Sequence, residues 1–162
     1  MKLEVLFQGI AIQEKINWES HRYIKKITSD SRSVESGDLF IACRGSRMDG
    51  HDFLGQAIHA GASVIVCETF PEFPIPHHVI AVRVKDCHAC FAEILNRFYQ
   101  YPHEKVKLIG VTGTNGKTTI AYLLHRLLRE KTSAAYLGTL WYELPAHKIQ
   151  SPNTTPGPET LI

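Results

Sequence analysis

Residues 110–119 read GVTGTNGKTT, and how that stretch is read places the rest of the chain. A loop that grips phosphate needs glycines, which let backbone N–H groups come close to anionic oxygens, and a helix N-terminus aimed at them. It also needs a lysine for charge and a hydroxyl for a magnesium ion. Here Gly110, Gly113 and Gly116 supply the bends, Lys117 the charge and Thr118 the hydroxyl. The general pattern G-x-x-x-x-G-K-[ST] asks for glycine where Val111 stands, so the loop is a variant with its glycine at Gly113. Taken alone, it identifies the phosphates of ATP or GTP and leaves the reaction open.

The flanks give the loop its setting. The apolar run VKLIGV, residues 106–111, predicts a strand that enters the loop directly. From Lys117, Ile120, Leu123, Leu124, Leu127 and Leu128 recur at the spacing of a core-facing helical stripe, which predicts a helix over residues 117–130. SAAYLGTL, from Ser133, predicts the next strand. Together these make one β-loop-α-β unit, whose strands at 106–111 and 133–138 are expected to be parallel by the right-handed crossover rule. Only two strands are then available to cover five large apolar side chains, so part of the stripe is expected to stay exposed.

Upstream, strand and helix alternate. Residues 23–28 and 38–43 are short β-rich runs separated by the turn-forming cluster SDSRSVESG. DGHDFLGQAIHAGA reads as a helix, capped by Asp49 or Asp52, striped by Phe53, Ala57 and Ile58, and stopped by Gly61. ASVIVCE and residues 79–84 read as strands around the Pro-rich PEFPIPHH. Asp86 can cap a further helix with Phe91, Leu95 and Phe98 on one face. The fold class is α/β: a small mixed α/β domain over residues 1–102, then the first β-loop-α-β unit of a P-loop domain over residues 103–162, joined through YPHEK.

Composition excludes several classes. The 162 residues are 44% apolar with a net charge of +2, and no Lys/Arg run exceeds two residues, so nucleic-acid binding has no compositional support. No apolar run approaches the roughly 20 residues of a membrane helix, and residues 1–9 carry Glu4 and Gln8 where a secretory signal needs an apolar core. The expectation is a soluble, cytoplasmic chain. Cys87 and Cys90 form a C-x-x-C with no second ligand pair in the sequence. Spacing of three is also one face of a helix, and they are read as small core hydrophobes. LEVLFQG, residues 3–9, is nearly a protease site used to remove purification tags. Ile10 stands where that site has Pro, and a native amphipathic segment is the preferred reading.

The loop GTNGKTT after an apolar strand resembles the ATP-binding loop of the Mur ligases, cytoplasmic enzymes that build the peptidoglycan stem peptide. A related loop occurs in folylpolyglutamate synthases. The stretch DSRSVESGDLFIACRGSRMDGHDFLGQAIHAGASVIV, from Asp30, is similar to the UDP-binding domain that opens two members: the ligase that adds the third stem residue and the one that adds D-alanyl-D-alanine. Downstream, Asn153, Thr154, Thr155 and Pro156 resemble a substrate-contacting segment of the third-residue ligase. Thr114–Asn115 in the loop also favour that member, since the dipeptide-adding enzyme usually has Ser and no Asn there.

The resemblance implies roles. Gly113, Thr114, Asn115, Gly116, Lys117, Thr118 and Thr119 would bind ATP, with Lys117 catalytic and Thr118 placing Mg2+. Ser31 would contact the UDP-sugar, and Ser46, Arg47 and Met48 the uridine end, chiefly through backbone. Asn153, Thr154 and Thr155 would meet the muramoyl-dipeptide. Each has a plainer alternative in turn geometry, and Asp49 and His51 of MDGH are read as structural. The implied reaction phosphorylates the D-glutamate carboxylate of UDP-N-acetylmuramoyl-dipeptide, and the amine of the incoming amino acid then attacks the acyl phosphate. Family members have a long central domain and a C-terminal domain beyond the position of Thr155, which carry the adenine pocket and the amino-acid site. The 162 residues alone are therefore expected to be inactive. A non-catalytic UDP-sugar-binding module and a small independent NTPase remain as alternatives. Whether the reading frame continues past Ile162 separates the first from a ligase portion. Whether diaminopimelate or lysine is the third residue is not legible here.

Overall fold

The computed structural model describes residues 1–45 and 48–151. The chain divides into two compact units, Met1–Tyr101 and Pro102–Ile162.

The first unit is a five-stranded sheet in the order β1-β5-β4-β3-β2, with β1 at Ile12–Ile16, β2 at Ile27–Thr28, β3 at Leu39–Ile41, β4 at Val64–Cys67 and β5 at Ile80–Val84. β2, β3, β4 and β5 run parallel, and β1 closes the edge antiparallel to β5. The side-chain period of two sorts the strand residues onto two faces. Leu39, Ile41, Val64, Val66, Ile80 and Val82 join Leu3, Leu6, Phe91, Ile94 and Leu95 from the helices α1 (Leu3–Leu6) and α3 (Cys87–Phe98) in one buried cluster. Phe40, Ala42, Ile65, Cys67 and Ala81 join Leu54 and Ala57 of α2 (Leu54–His59) in the other. Parallel strands covered on both faces read as unbroken apolar runs, which is why β3, β4 and β5 stand out in the sequence.

Local chemistry sets the helix ends. The Asp86 carboxylate accepts the Ala89 N–H at the start of α3, as expected. Asp49 caps the 3-10 turn Gly50–Phe53, whereas α2 has no side-chain cap. α2 stops at Gly61, whose φ is +107°. Its N–H donates to Ile58 O and that of Ala62 to Ala57 O, a Schellman closure that needs the positive φ glycine supplies. Cys87 and Cys90 are buried on the core face of α3, and burial raises both thiols, Cys90 to about 12. The segment LEVLFQG is integral to the core: Leu3 and Leu6 are wholly buried, and the Met1 amine donates to Ile24 O at 2.8 Å.

The second unit departs from expectation. α4 spans Lys117–Arg129, close to the helix predicted, but residues 106–111 form no strand. Val106, Leu108 and Ile109 are exposed. An apolar run becomes a central strand only where neighbours pair with both its edges, and among the described residues none does. The predicted second strand is reduced to β6 (Tyr136–Leu137). It pairs antiparallel with β7 (Trp141–Glu143), which pairs antiparallel with β8 (Lys148–Gln150). The parallel pairing expected between 106–111 and 133–138 is therefore not formed. The buried side of α4 also differs from the leucine stripe. Ile120, Leu123 and Leu127 are exposed, at 56%, 57% and 66%, and His125 is buried instead, tilted against Tyr122 and Tyr136.

Candidate functional site

The glycine-rich loop in the second unit has the bent backbone that two of its three glycines imply. Gly113 has φ +149° and Gly116 has φ +77°, values L side chains rarely adopt, and Gly116 is the N-cap of α4. Gly110 has no such φ, and a Cβ there would meet nothing within 4 Å, so the bend comes from the other two glycines. Lys117 opens the helix, and its Nζ donates back to Gly113 O at 2.6 Å and Thr114 O at 3.3 Å. The ammonium is thus tied back onto the loop's own carbonyls. No acidic residue occupies the first turn of α4, so the positive end of the helix dipole is unopposed by side-chain charge there. Thr118 is half-buried, while Thr114, Asn115 and Thr119 are exposed.

The predicted nucleotide-sugar residues that can be placed lie in the first unit. Ser31 opens the 3-10 turn Ser31–Ser33, which Asp30 caps by accepting the Arg32 N–H. The turn is tightened by Thr28 Oγ1 and Ser33 Oγ at 2.9 Å. Ser31 is buried, and its hydroxyl donates to Gln56 Oε1 of α2 at 3.1 Å. Asp30 and Arg32 form an ion pair at 2.7 Å, and the Arg32 hydrogen bonds hold the Asp30 carboxyl below its usual range. Met48 is 67% exposed at the end of a tight loop closed by Gly45 N–H to Met48 O and by a bridge between Arg44 and Asp49. Ser46, Arg47, Asn153, Thr154 and Thr155 lie outside the described residues.

Gln56, which bonds Ser31, and Arg44, Glu68 and His88, which meet at the base of the Met48 loop, also belong to this picture, and sequence reasoning did not single them out. Gln56, Glu68 and His88 come from other elements, so no spacing in the chain points to them. His51 and Asp49, structural in the sequence reading, bond to each other at the end of the Met48 loop, where Asp49 Oδ1 accepts the His51 N–H at 3.0 Å.

Comparison with known proteins places these features. The pattern of the Mur ligase family, catalytic domain, matches residues 23–106, and that of the Mur ligase middle domain matches residues 111–161. The UDP-N-acetylmuramoyl-L-alanyl-D-glutamate--2,6-diaminopimelate ligase of Phocaeicola vulgatus is 38% identical over 99% of this chain, which covers 33% of that enzyme. The chain thus spans about a third of the length of the curated relatives it matches. A solved structure of a UDP-N-acetylmuramoyl-L-alanyl-D-glutamate--2,6-diaminopimelate ligase superposes with a TM-score of 0.69 at 26% identity, over 99% of this chain and 32% of that one. The MurF ligase of Thermotoga maritima in complex with ADP superposes with a TM-score of 0.53 at 30% identity, over 67% of this chain and 24% of that one. A sheet unit followed by a glycine-bent loop that opens α4, matched by both family patterns in that order, leads to one assignment: the chain belongs to the Mur ligase family.

Proposed function

We propose that the chain is the N-terminal portion of an ATP-dependent ligase that adds diaminopimelate to UDP-N-acetylmuramoyl-L-alanyl-D-glutamate in peptidoglycan synthesis. What carries the reading is the 38% identity across nearly the whole chain to a ligase of that name, joined to a phosphate loop with its lysine in position. The diaminopimelate-adding member is preferred over MurF because its structure superposes over more of the chain, at a higher TM-score.

The loop residues fit the nucleotide. The loop bent at Gly113 and Gly116 runs directly into the positive N-terminus of α4, and Lys117 exchanges its neutral carbonyl partners for phosphate oxygens, a charge-assisted bond roughly twice as strong. Thr118 offers a hard hydroxyl oxygen in the first helical turn, the donor class magnesium takes. ATP supplies the phosphoryl group that activates the D-glutamate carboxylate. The chain's own part is to hold that phosphoryl group and neutralise its charge. In the first unit, Ser31 and the loop carrying Ser46, Arg47 and Met48 receive the UDP end of the precursor, and Asn153, Thr154 and Thr155 meet the dipeptide. Domain boundaries at 1–102 and 103–162 follow from that division of labour.

Calorimetric titration of UDP-N-acetylmuramoyl-L-alanyl-D-glutamate into the 162-residue chain tests the reading. Saturable binding that free UDP competes away is expected, together with no tripeptide product when ATP, magnesium and diaminopimelate are added. Absence of precursor binding contradicts the first half, and tripeptide formed by the 162 residues contradicts the second.

A further inference from the structure

The loop that carries Met48 is tied down at both ends by a closed ring of polar groups, and His51 is its central member. The Glu68 backbone N–H, at the end of β4, donates to His51 Nε2 at 2.9 Å. A backbone amide can only donate, so Nε2 holds a lone pair and the single ring proton of the neutral imidazole sits on Nδ1. That Nδ1–H donates to Asp49 Oδ1 at 2.6 Å, and the same oxygen accepts the His51 N–H at 3.0 Å. The other Asp49 oxygen faces Arg44 Nε at 3.4 Å, and Arg44 Nε lies 3.4 Å from Glu68 Oε2. The ring therefore runs Arg44, Asp49, His51, Glu68 and back to Arg44. Two bonds extend it to α3: Glu68 Oε1 accepts the Cys87 N–H at 3.1 Å, and His88 Nε2 lies 2.9 Å from Arg44 O.

The backbone beneath is equally constrained. Gly50 N–H donates to Cys43 O at 3.0 Å, and a Cβ at Gly50 would lie 2.6 Å from that oxygen. The His51 side chain is 14% exposed, so its two bonds are made largely away from water, where each is strong and costly to leave unmade. These contacts converge on the two ends of residues 44–49.

We propose that His51 is a positioning residue for nucleotide-sugar binding. Its neutral, Nδ1-protonated imidazole spans from Asp49 to the end of β4 and so fixes Gly45 and Met48, whose backbones bond to each other, as the anchored ends of a loop that receives the uridine end. The inference rests on the reading that this loop takes the UDP part of the precursor. A loop held in its bound geometry loses little freedom when ligand arrives, and releasing one end transfers that ordering cost to binding.

The test compares His51→Ala, His51→Asn and His51→Gln by calorimetry with UDP-N-acetylmuramoyl-L-alanyl-D-glutamate, with thermal melts of each. The Gln amide oxygen reaches the place of Nε2 and keeps the Glu68 amide satisfied. Asn keeps only the Asp49 side. The expected result is affinity lowered about tenfold in His51→Ala and restored to within about threefold of wild type in His51→Gln. Equal affinity of folded His51→Ala and wild type overturns the inference while leaving the function standing, as does equal loss in folded Ala and Gln variants. If His51→Ala does not fold, Gln against Asn decides: tighter binding by Gln supports the clamp, and equal binding refutes it. A wild-type chain that binds no precursor removes the proposed function first and this inference with it.

Discussion

Leu3 and Leu6 sit wholly buried against the face of the sheet that α3 also covers, four residues of helix held at one end by the Met1 amine on Ile24 O. A stretch that reads like an appended tag is thus part of the core, and its removal would uncover apolar surface. Leu6→Ala is expected to lower stability by about 2–5 kcal/mol, the range for emptying a buried leucine site. Urea melts of the two proteins check it, and an unchanged midpoint would mean the segment is not packed. At the same scale, the bent backbone at Gly113 and Gly116 and the helix start at Lys117 were legible because their geometry is local and contiguous. The partner of Ser31 was not legible, because Gln56 comes from 25 positions away and no pattern ties the two.

Among elements, β3, β4 and β5 could be read from their apolar runs, but β1 could not. Its three middle residues, Gln13, Glu14 and Lys15, face solvent on an edge strand, so only Ile12 and Ile16 carry any signal. The reverse error occurred at residues 106–111, where apolar side chains suggested a strand. Hydrophobicity records what a segment can bury, and pairing needs a neighbour that the segment itself does not encode. β7 and β8 were missed for a third reason: each is three residues long, too short for a period of two to show. Helix stops were clearer. Gly61 holds φ +107°, and a Cβ there would lie 3.0 Å from Ser36 Cα. Gly61→Ala is expected to destabilise the first unit by more than about 1 kcal/mol, since alanine resists that φ and crowds the Ser36 backbone. A thermal melt that rises would show the φ is not required.

For the whole molecule, the two units present different surfaces. The first buries its sheet on both faces. The second leaves Ile120, Leu123 and Leu127 of α4 exposed, as the small number of strands led us to expect, with Val106, Leu108 and Ile109 exposed as well. No helix among the described residues is long and apolar enough to cross a membrane. The Mur ligase relatives are about three times as long as this chain. On the proposed reading, residues 113–118 meet the phosphate end of the nucleotide, and further contacts to it come from other parts of a ligase of the relatives' length. Each missing contact group removes on the order of 1–3 kcal/mol.

Titration of ATP with magnesium into wild-type chain and Lys117→Ala, followed by calorimetry, asks directly what residues 110–119 do. Weak binding by wild type is expected, in the range of a millimolar Kd or about 4 kcal/mol, with its loss in Lys117→Ala. Micromolar binding, or binding indifferent to Lys117→Ala, would contradict that expectation.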